Sequence, residues 1–256
     1  MQEPTSVIPV CFADLDDTLF CTIEKVPEGM DAVLQATQAN NGRHSWMTQV
    51  QVDMFNWLNA STTLIPVTAR APDSYDRMTI DFHHGAVLSN GGLIRLPDGS
   101  TDPVWAEKIQ SISYKYASLL HEMLNFINTT YLPGVLRSWI VKADDLDVYF
   151  CVKVNKTETR NESLLNEVLT RLCGRFDLTG ATVHRNGNNL SISPPGISKK
   201  SAVEYLLSNR DGLKGRPTIG AGDSMTDLPF MRGCHMMMVP GRSQVSEKMK
   251  TIQGVK

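Results

Sequence analysis

Val7-Ile8-Pro9-Val10-Cys11-Phe12-Ala13-Asp14-Leu15-Asp16-Asp17-Thr18 is apolar almost throughout its first half and abruptly acidic in its second. A near-continuous apolar run is what a strand buried on both faces of a parallel sheet requires, and Pro9 is the one residue in it that cannot donate to a ladder. The acids follow directly, at the place where open α/β sheets bind their ligands, the carboxyl ends of the strands. Carboxylates crowded on one loop repel one another unless water or a cation offsets their charge, and an oxygen-rich site of this kind suits Mg2+. Taken alone, the pentapeptide also reads as a solvated acidic turn.

Outward from that stretch, Trp46, Val50, Met54, Trp57 and Leu58 recur at helical spacing. A second strand-like run, residues 62–67, leads to Thr68-Ala69-Arg70, and Pro72 suits the first turn of a following helix. Two short runs between residues 86 and 96 flank the turn signal Asn90-Gly91-Gly92, which predicts a hairpin. The texture then changes. Residues 104–127 predict a long amphipathic helix with Trp105, Ile109, Tyr116, Leu119, Leu120, Met123 and Ile127 on one side. Strands over 136–142 and 147–154 follow, then a helix over 161–172 with Asn161 as N-cap and Gly174 past its end, then strands over 181–185 and 190–193. After Pro194-Pro195-Gly196 the α/β texture returns, with a helix over 198–207, strands over 217–221 and 235–239, and a helix over 243–250. The expectation is an α/β core built on a parallel sheet (residues 1–100 and 196–256), interrupted by an inserted α+β domain (residues 101–195) of order αββαββ.

A second acidic loop, Gly220-Ala221-Gly222-Asp223-Ser224-Met225-Thr226-Asp227, also follows a strand-like run. Alone it reads as a helix cap. Two acidic loops at the ends of two parallel strands can instead meet at one edge of the sheet and build a divalent-cation site.

Composition narrows the function classes. The 256 residues carry 25 Lys+Arg against 27 Asp+Glu, a formal net charge of −2, without the basic excess of a dedicated nucleic-acid binder. Five cysteines, odd in number and without a CxxC pair, disfavour a disulfide framework and a zinc site, and predict reduced, buried thiols. No apolar run approaches the ~20 residues that span a bilayer and no leader pattern precedes residue 10, so the expectation is a cytoplasmic protein without a membrane partner.

With both acidic loops in view, the chain resembles the haloacid dehalogenase superfamily of phosphohydrolases, in the branch with a large C2-type cap inserted between the second and third motifs. Asp14-Leu15-Asp16-Asp17-Thr18 resembles the first motif, DxDxT, and Gly222-Asp223-Ser224-Met225-Thr226-Asp227 the fourth, GDxxxD. Thr68-Ala69-Arg70 is similar to the second, with Ala69 where relatives often have Gly, and Lys199 stands for the third. The resemblance implies a Rossmann-like core, Asp14 as nucleophile and Asp16 as general acid and base. It further implies Mg2+ held by the carboxylates of Asp14 and Asp223 and the backbone carbonyl of Asp16, with Asp227 contributing indirectly, while Thr68 and Lys199 hold phosphoryl oxygens. Lys200, about 100° round the helix from Lys199, reads as a solvated surface charge.

Candidate substrate contacts are Thr18, Arg70 and Asn90 in the core and Lys153, His184 and Arg185 in the insert. Arg70 can equally pair with a neighbouring carboxylate, and Asn90 can be a plain turn residue. In the insert, Val148, Phe150, Val152 and Val154 alternate and should pack on its helices, which leaves Tyr149, Cys151 and Lys153 on a half-polar face, while His184, Arg185, Asn186, Asn188 and Asn189 read as a polar loop. The activity implied is a Mg2+-dependent phosphatase acting on a small phosphorylated metabolite, a sugar or polyol phosphate, through an aspartyl-phosphate. A phosphotransferase or phosphomutase using the same motifs is the nearest alternative, and a phospho-accepting signalling or binding protein the more distant one.

Overall fold

A computed structural model describes residues 7–155 and 161–252. The chain divides into two compact units, one formed by Met1–Thr101 with Lys199–Lys256 and the other by Asp102–Ser198. The first begins with β1 (Val10–Ala13), β2 (Cys21–Thr22), β3 (Ala32–Gln35), β4 (Ser45–Thr48), α1 (Gln49–Ser61), β5 (Thr63–Pro66), α2 (Pro72–Tyr75), β6 (Ala86–Leu88) and β7 (Leu93–Arg95). The second comprises α3 (Pro103–Thr130), β8 (Leu136–Ala143), β9 (Leu146–Val154), α4 (Asn161–Arg175), β10 (Thr182–Asn186) and β11 (Asn189–Ser193). The chain then returns to the first unit with α5 (Lys199–Asn209), β12 (Thr218–Ala221), α6 (Leu228–Met231), β13 (Met236–Met238) and α7 (Gln244–Ile252).

In the first unit the parallel sheet runs β13-β12-β1-β5. β1 lies inside it, with Val10 opposite both Thr218 and Thr63, and all four of its residues have no solvent exposure. That double-sided burial is why its sequence is uninterruptedly apolar. The strand starts at Val10, not at Val7, where the apolar run begins: Pro9 has no N–H for the ladder, its carbonyl accepts from Thr63 N, and Val7 and Ile8 remain exposed. The ladder continues one residue past the strand ends, with Asp14 N donating to Ala221 O (2.9 Å) and Val67 N to Ala13 O (2.8 Å). Three strand ends, at Asp14, Thr68 and Asp223, are thereby fixed side by side at one edge.

A three-stranded antiparallel arrangement, β2-β4-β3, is inserted between β1 and α1 and has no counterpart in the sequence reading. It also corrects the reading of α1. Thr48 closes a capping box with Gln51, so the helix begins at Gln49 and Trp46 belongs to β4, opposite Cys21 and Gln35. The helix buries Phe55 and Leu58, with Val52 packed beside them, whereas Val50 (62% exposed), Met54 (43%) and Trp57 (51%) point outward. The apolar spacing through 50, 54 and 57 marks an outward stripe, and the core stripe is offset from it.

In the second unit β10-β11-β9-β8 form an antiparallel sheet, and Phe150, Val152 and Val154 of β9 pack with Leu120, Met123 and Ile127 of α3 and with Leu164, Leu165, Val168 and Leu172 of α4. The opposite face is less polar than the alternation predicts: Tyr149 and Cys151 are buried, and Cys151 sits in the ladder between Trp139 and Ser191 with its thiol on Asn189 Oδ1 (3.1 Å). His184 and Arg185 lie within β10 and not on a loop. The turn is only Gly187-Asn188, with Gly187 at φ +55°, and Asn186 already pairs with Asn189. The side chain of Asn161, expected to cap α4, lies outside the described residues. All five cysteines are free, but Cys173 is exposed and Cys234 only half-buried, against the expectation of burial. Among the described residues no helix is long and apolar enough to cross a membrane.

The offset of the α1 stripe is testable by urea denaturation. Leu58→Ala should cost about 2–5 kcal/mol, the range for emptying a buried leucine site, and Trp57→Ala about 0.5 kcal/mol or less. The reverse order would place Trp57 in the core.

Candidate active site

The loop leaving β1 is wound tightly on one carbonyl. Leu15 O accepts from the backbone N–H groups of Thr18 (3.2 Å), Leu19 (2.9 Å) and Phe20 (3.3 Å), while Asp17, at φ +65°, donates to Phe20 O. An aspartate tolerates that left-handed position better than most residues. Leu15, Leu19 and Phe20 anchor the turn in the core. Asp14 and Thr18 therefore face the same space: Thr18 Oγ1 donates to Asp14 Oδ2 (3.3 Å) and lies 3.5 Å from Asp223 Oδ1. Asp17 turns away to an ion pair with Lys25.

Lys199, the first residue of α5, reaches into the same space. Its Nζ donates to Asp14 Oδ1 (2.6 Å) and Asp227 Oδ1 (2.7 Å), with the lysine side chain only 10% exposed. The other oxygen of Asp227 accepts from Ser224 N (3.0 Å) and Ser224 Oγ (2.6 Å), so both oxygens of this wholly buried carboxylate are satisfied. Gly222 makes room for it, since a Cβ there would stand 2.5 Å from Asp227 Cβ. Lys200 is solvated, 3.5 Å from Glu204, as its position predicts.

Burial and the uneven number of charges set the titration of the cluster. Burial opposes ionisation of Asp227, yet the Lys199 ammonium and the Ser224 donors hold it below the usual carboxylate range. Burial likewise works against the charge on Lys199, and its two carboxylates overcome this and raise it. Asp14 is pushed up to about 8, by burial first and by the neighbouring Asp227 and Asp16, against the pull of Lys199. Asp223 is pushed up to about 6, by burial and then by Asp227 and Asp17.

The second-motif residues are held by the hairpin beside them. Thr68 N donates to Val87 O, Asn90 N to Thr68 O and Ser89 N to Arg70 O, all within 2.8–2.9 Å. Ser89 and Asn90 adopt positive φ where they make these contacts. Thr68 Oγ1 accepts from Arg70 N (3.1 Å). Arg70 pairs with a carboxylate: Nε donates to Asp16 Oδ2 (2.8 Å) and an Nη to Asp16 Oδ1 (2.6 Å), a bidentate fork laid over the Phe20 ring. Asp16 thus contributes no carboxylate oxygen to the Asp14 cluster.

Asp14, Asp223 and Asp227 each offer an oxygen within 4.8 Å of the others. When ionised they carry three negative charges against the single ammonium of Lys199, and the two left over match a divalent cation. A hard, all-oxygen donor set of carboxylates suits Mg2+ or a similar ion. The residues present therefore fit such a group.

Ser224 was not singled out from the sequence, although a serine three residues before a buried aspartate is a recognisable partner for it. Of the insert candidates, Lys153 stands in the β9 ladder between Arg137 and Asn189, and His184 lies in β10. Arg185 is engaged on α4, by Asn166 and by Glu162 (2.9 Å).

A carboxyl whose folded pKa lies above its unfolded value keeps its proton longer when folded, so its contribution to stability declines as pH rises between the two values. For Asp14 that window runs from the ordinary 3.8 to about 8. In metal-free protein, Asp14→Asn should therefore melt above the wild type by a margin that widens from pH 5 to pH 8 and then levels, as read by thermal denaturation in chelator. A margin independent of pH would show that Asp14 titrates normally.

Residues 109–252, more than half of the chain, match the family model for haloacid dehalogenase-like hydrolases. No curated protein matches the sequence. Among solved structures, the chain is similar to the C-terminal domain of trehalose-6-phosphate phosphatase from Candida albicans, at 13% identity and TM-score 0.60, over 97% of this chain and 78% of that one. It is similar to the sucrose-phosphatase of Synechocystis, solved with sucrose and phosphate, at 12% identity and TM-score 0.59 over 98% of both chains. These likenesses show a shared fold. With the family model matched across α3 to α7 and both acidic loops at one sheet edge, the chain belongs to the haloacid dehalogenase-like hydrolases.

Proposed function

We propose that this hydrolase is a Mg2+-dependent phosphomonoesterase that acts on a small phosphorylated metabolite of the sugar or polyol class through an aspartyl-phosphate. One observation carries the reading: a buried ammonium, Lys199, shared between Asp14 and Asp227, beside a third carboxylate, Asp223. The sugar class is suggested by fold relatives described as sucrose-phosphatase and trehalose-6-phosphate phosphatase.

Asp14 and Asp223, with the Asp16 carbonyl, would hold the cation, and Asp227, whose oxygens are engaged by Lys199 and Ser224, would contribute indirectly; when bound the cation supplies neutralisation of phosphoryl oxygens. Lys199 adds its own positive charge next to Asp14, so a dianionic phosphoryl group can approach a carboxylate that would otherwise repel it. Thr68, at the end of β5, offers a hydroxyl to the same group. Asp14 Oδ then bonds to phosphorus as the ester P–O bond breaks, and Asp16 gives its proton to the departing alkoxide. In the second step water attacks phosphorus, Asp16 takes the water's proton, and the bond between Asp14 and phosphorus breaks, which regenerates the carboxylate. Because Arg70 occupies both oxygens of Asp16, that carboxyl must exchange at least one of these bonds before it reaches a leaving oxygen.

Phosphate release from p-nitrophenyl phosphate and from a panel of sugar phosphates should require Mg2+ and disappear in EDTA. Asp14→Asn should abolish it while circular dichroism shows an intact fold, and Lys199→Ala should lower kcat by about 10²–10³-fold, as for loss of a preorganised electrostatic partner. Turnover retained in the Asp14 variant would remove it as nucleophile.

A further inference from the structure

Beside Asp16 the first unit opens into a cleft of about 470 Å3 that no role in the hydrolysis accounts for, lined by Asp16, Asn40, Asn41, Arg43, Arg70 and Arg77, with three small residues completing it. A volume of that order accommodates a small ligand. Its charge is out of keeping with the molecule. The chain as a whole carries −2, whereas this cleft gathers three guanidinium groups against the Asp16 carboxylate that lines it and the Asp73 carboxylate that pairs with Arg77, which leaves one positive charge in excess.

The arginines are placed by the fold. The β3–β4 connection turns at Gly42, whose N–H donates to Ala39 O (3.0 Å), and the Asn41 side chain accepts from Arg43 N (3.1 Å), which fixes the backbone from which the exposed Arg43 projects. Arg77 is tied by one Nη to Asp73 O (2.7 Å) and Asp73 Oδ2 (3.0 Å), but its Nε is buried without a hydrogen-bond partner. A buried N–H left unmade costs free energy, and native proteins rarely leave one without a use. Arg70 commits two of its nitrogens to Asp16, and its remaining Nη makes only a long contact to Ser74 Oγ (3.4 Å).

We propose that this cleft binds the alcohol portion of the substrate and that this portion bears a second oxyanion, a carboxylate or another phosphate, held by Arg43 and Arg77. The inference rests on the phosphomonoesterase reading above. Asp16 lines the cleft and must contact the leaving oxygen, so whatever is attached to that oxygen is presented to the arginines. Guanidinium forks match carboxylate and phosphate oxygens in pairs, a complementarity that neutral hydroxyls do not provide. The preferred substrate class is then an acidic sugar or polyol phosphate, or a bisphosphate, in preference to a neutral sugar monophosphate.

The test compares 6-phosphogluconate with glucose 6-phosphate, and fructose 1,6-bisphosphate with fructose 6-phosphate, as substrates of the full chain with Mg2+. One pair adds a carboxylate and the other a phosphate. At least one acidic member should be favoured about tenfold or more in kcat/KM, the scale of one charge-assisted hydrogen bond. Arg77→Ala and Arg43→Ala should each cut that preference about tenfold through KM, and the exposed Arg43 keeps the test available if the Arg77 variant does not fold. Equal kcat/KM within both pairs, or variants that lower both members alike, would overturn the proposal. If no phosphomonoester is hydrolysed, the phosphatase reading fails independently. Calorimetric titration of Asp14→Asn protein with the same four compounds then still decides the cleft, tighter binding of an acidic member supporting it and indifference overturning it.

Discussion

A single ammonium group, that of Lys199, is shared at 2.6 and 2.7 Å between two buried carboxylates from opposite ends of the chain. Taking several charges out of water is costly, and such an arrangement persists only where every oxygen and proton has a partner. The fold meets that demand locally. Ser224 completes Asp227, Thr18 spans Asp14 and Asp223, and Gly222 leaves the space that Asp227 fills. Three carboxylates share this one ammonium, so two negative charges are left without a cation when all three ionise, and Asp14 and Asp223 are both pushed upward in pKa. The site is thus electrostatically incomplete by itself, and a divalent cation is the charge that would balance it.

Asp16, two residues on, is felt by Asp14 but has a different direct partner. Because Asp17 takes a left-handed conformation and the turn closes on Leu15 O, the side chains of Asp14 and Asp16 diverge, one toward Lys199 and the other toward Arg70. The two halves of the proposed chemistry, bond formation at phosphorus and proton transfer at the alcohol, are in this way given different cationic partners, Lys199 and Arg70, on a single loop. Arg70 is itself fixed by the hairpin through Ser89, so the hydrogen-bonded turn at residues 89–90 supports both Thr68 and the arginine that holds Asp16.

Much of this was legible in the residues. Strands buried on both faces announce themselves by unbroken apolar runs, and β1, β5 and β12 stand where those runs lie. The acidic loops follow them, and the αββαββ order of the insert follows from its alternation of periodicities. The failures have equally specific causes. The outward stripe of α1 misleads because Val50, Met54 and Trp57 are apolar yet exposed, and only the Thr48–Gln51 capping box reveals where the helix begins. β2 and β3 are short and partly exposed, so they carry no periodicity to read. The Arg70–Asp16 pair links residues 54 apart, and no local pattern separates it from a phosphate contact.

The position of β1 has a bearing on how the protein is made. Its hydrogen-bonding neighbour β12 lies some two hundred residues downstream, and at roughly 5–20 residues per second a ribosome takes on the order of 10–40 s to deliver it. Until then a fully apolar strand has β5 on one side and nothing on the other, an open edge of the kind that recruits foreign strands. All four strands of β10-β11-β9-β8, by contrast, emerge as one contiguous stretch in the interim. While the residues between β1 and β12 are made, the nascent chain therefore carries an apolar strand with one open edge.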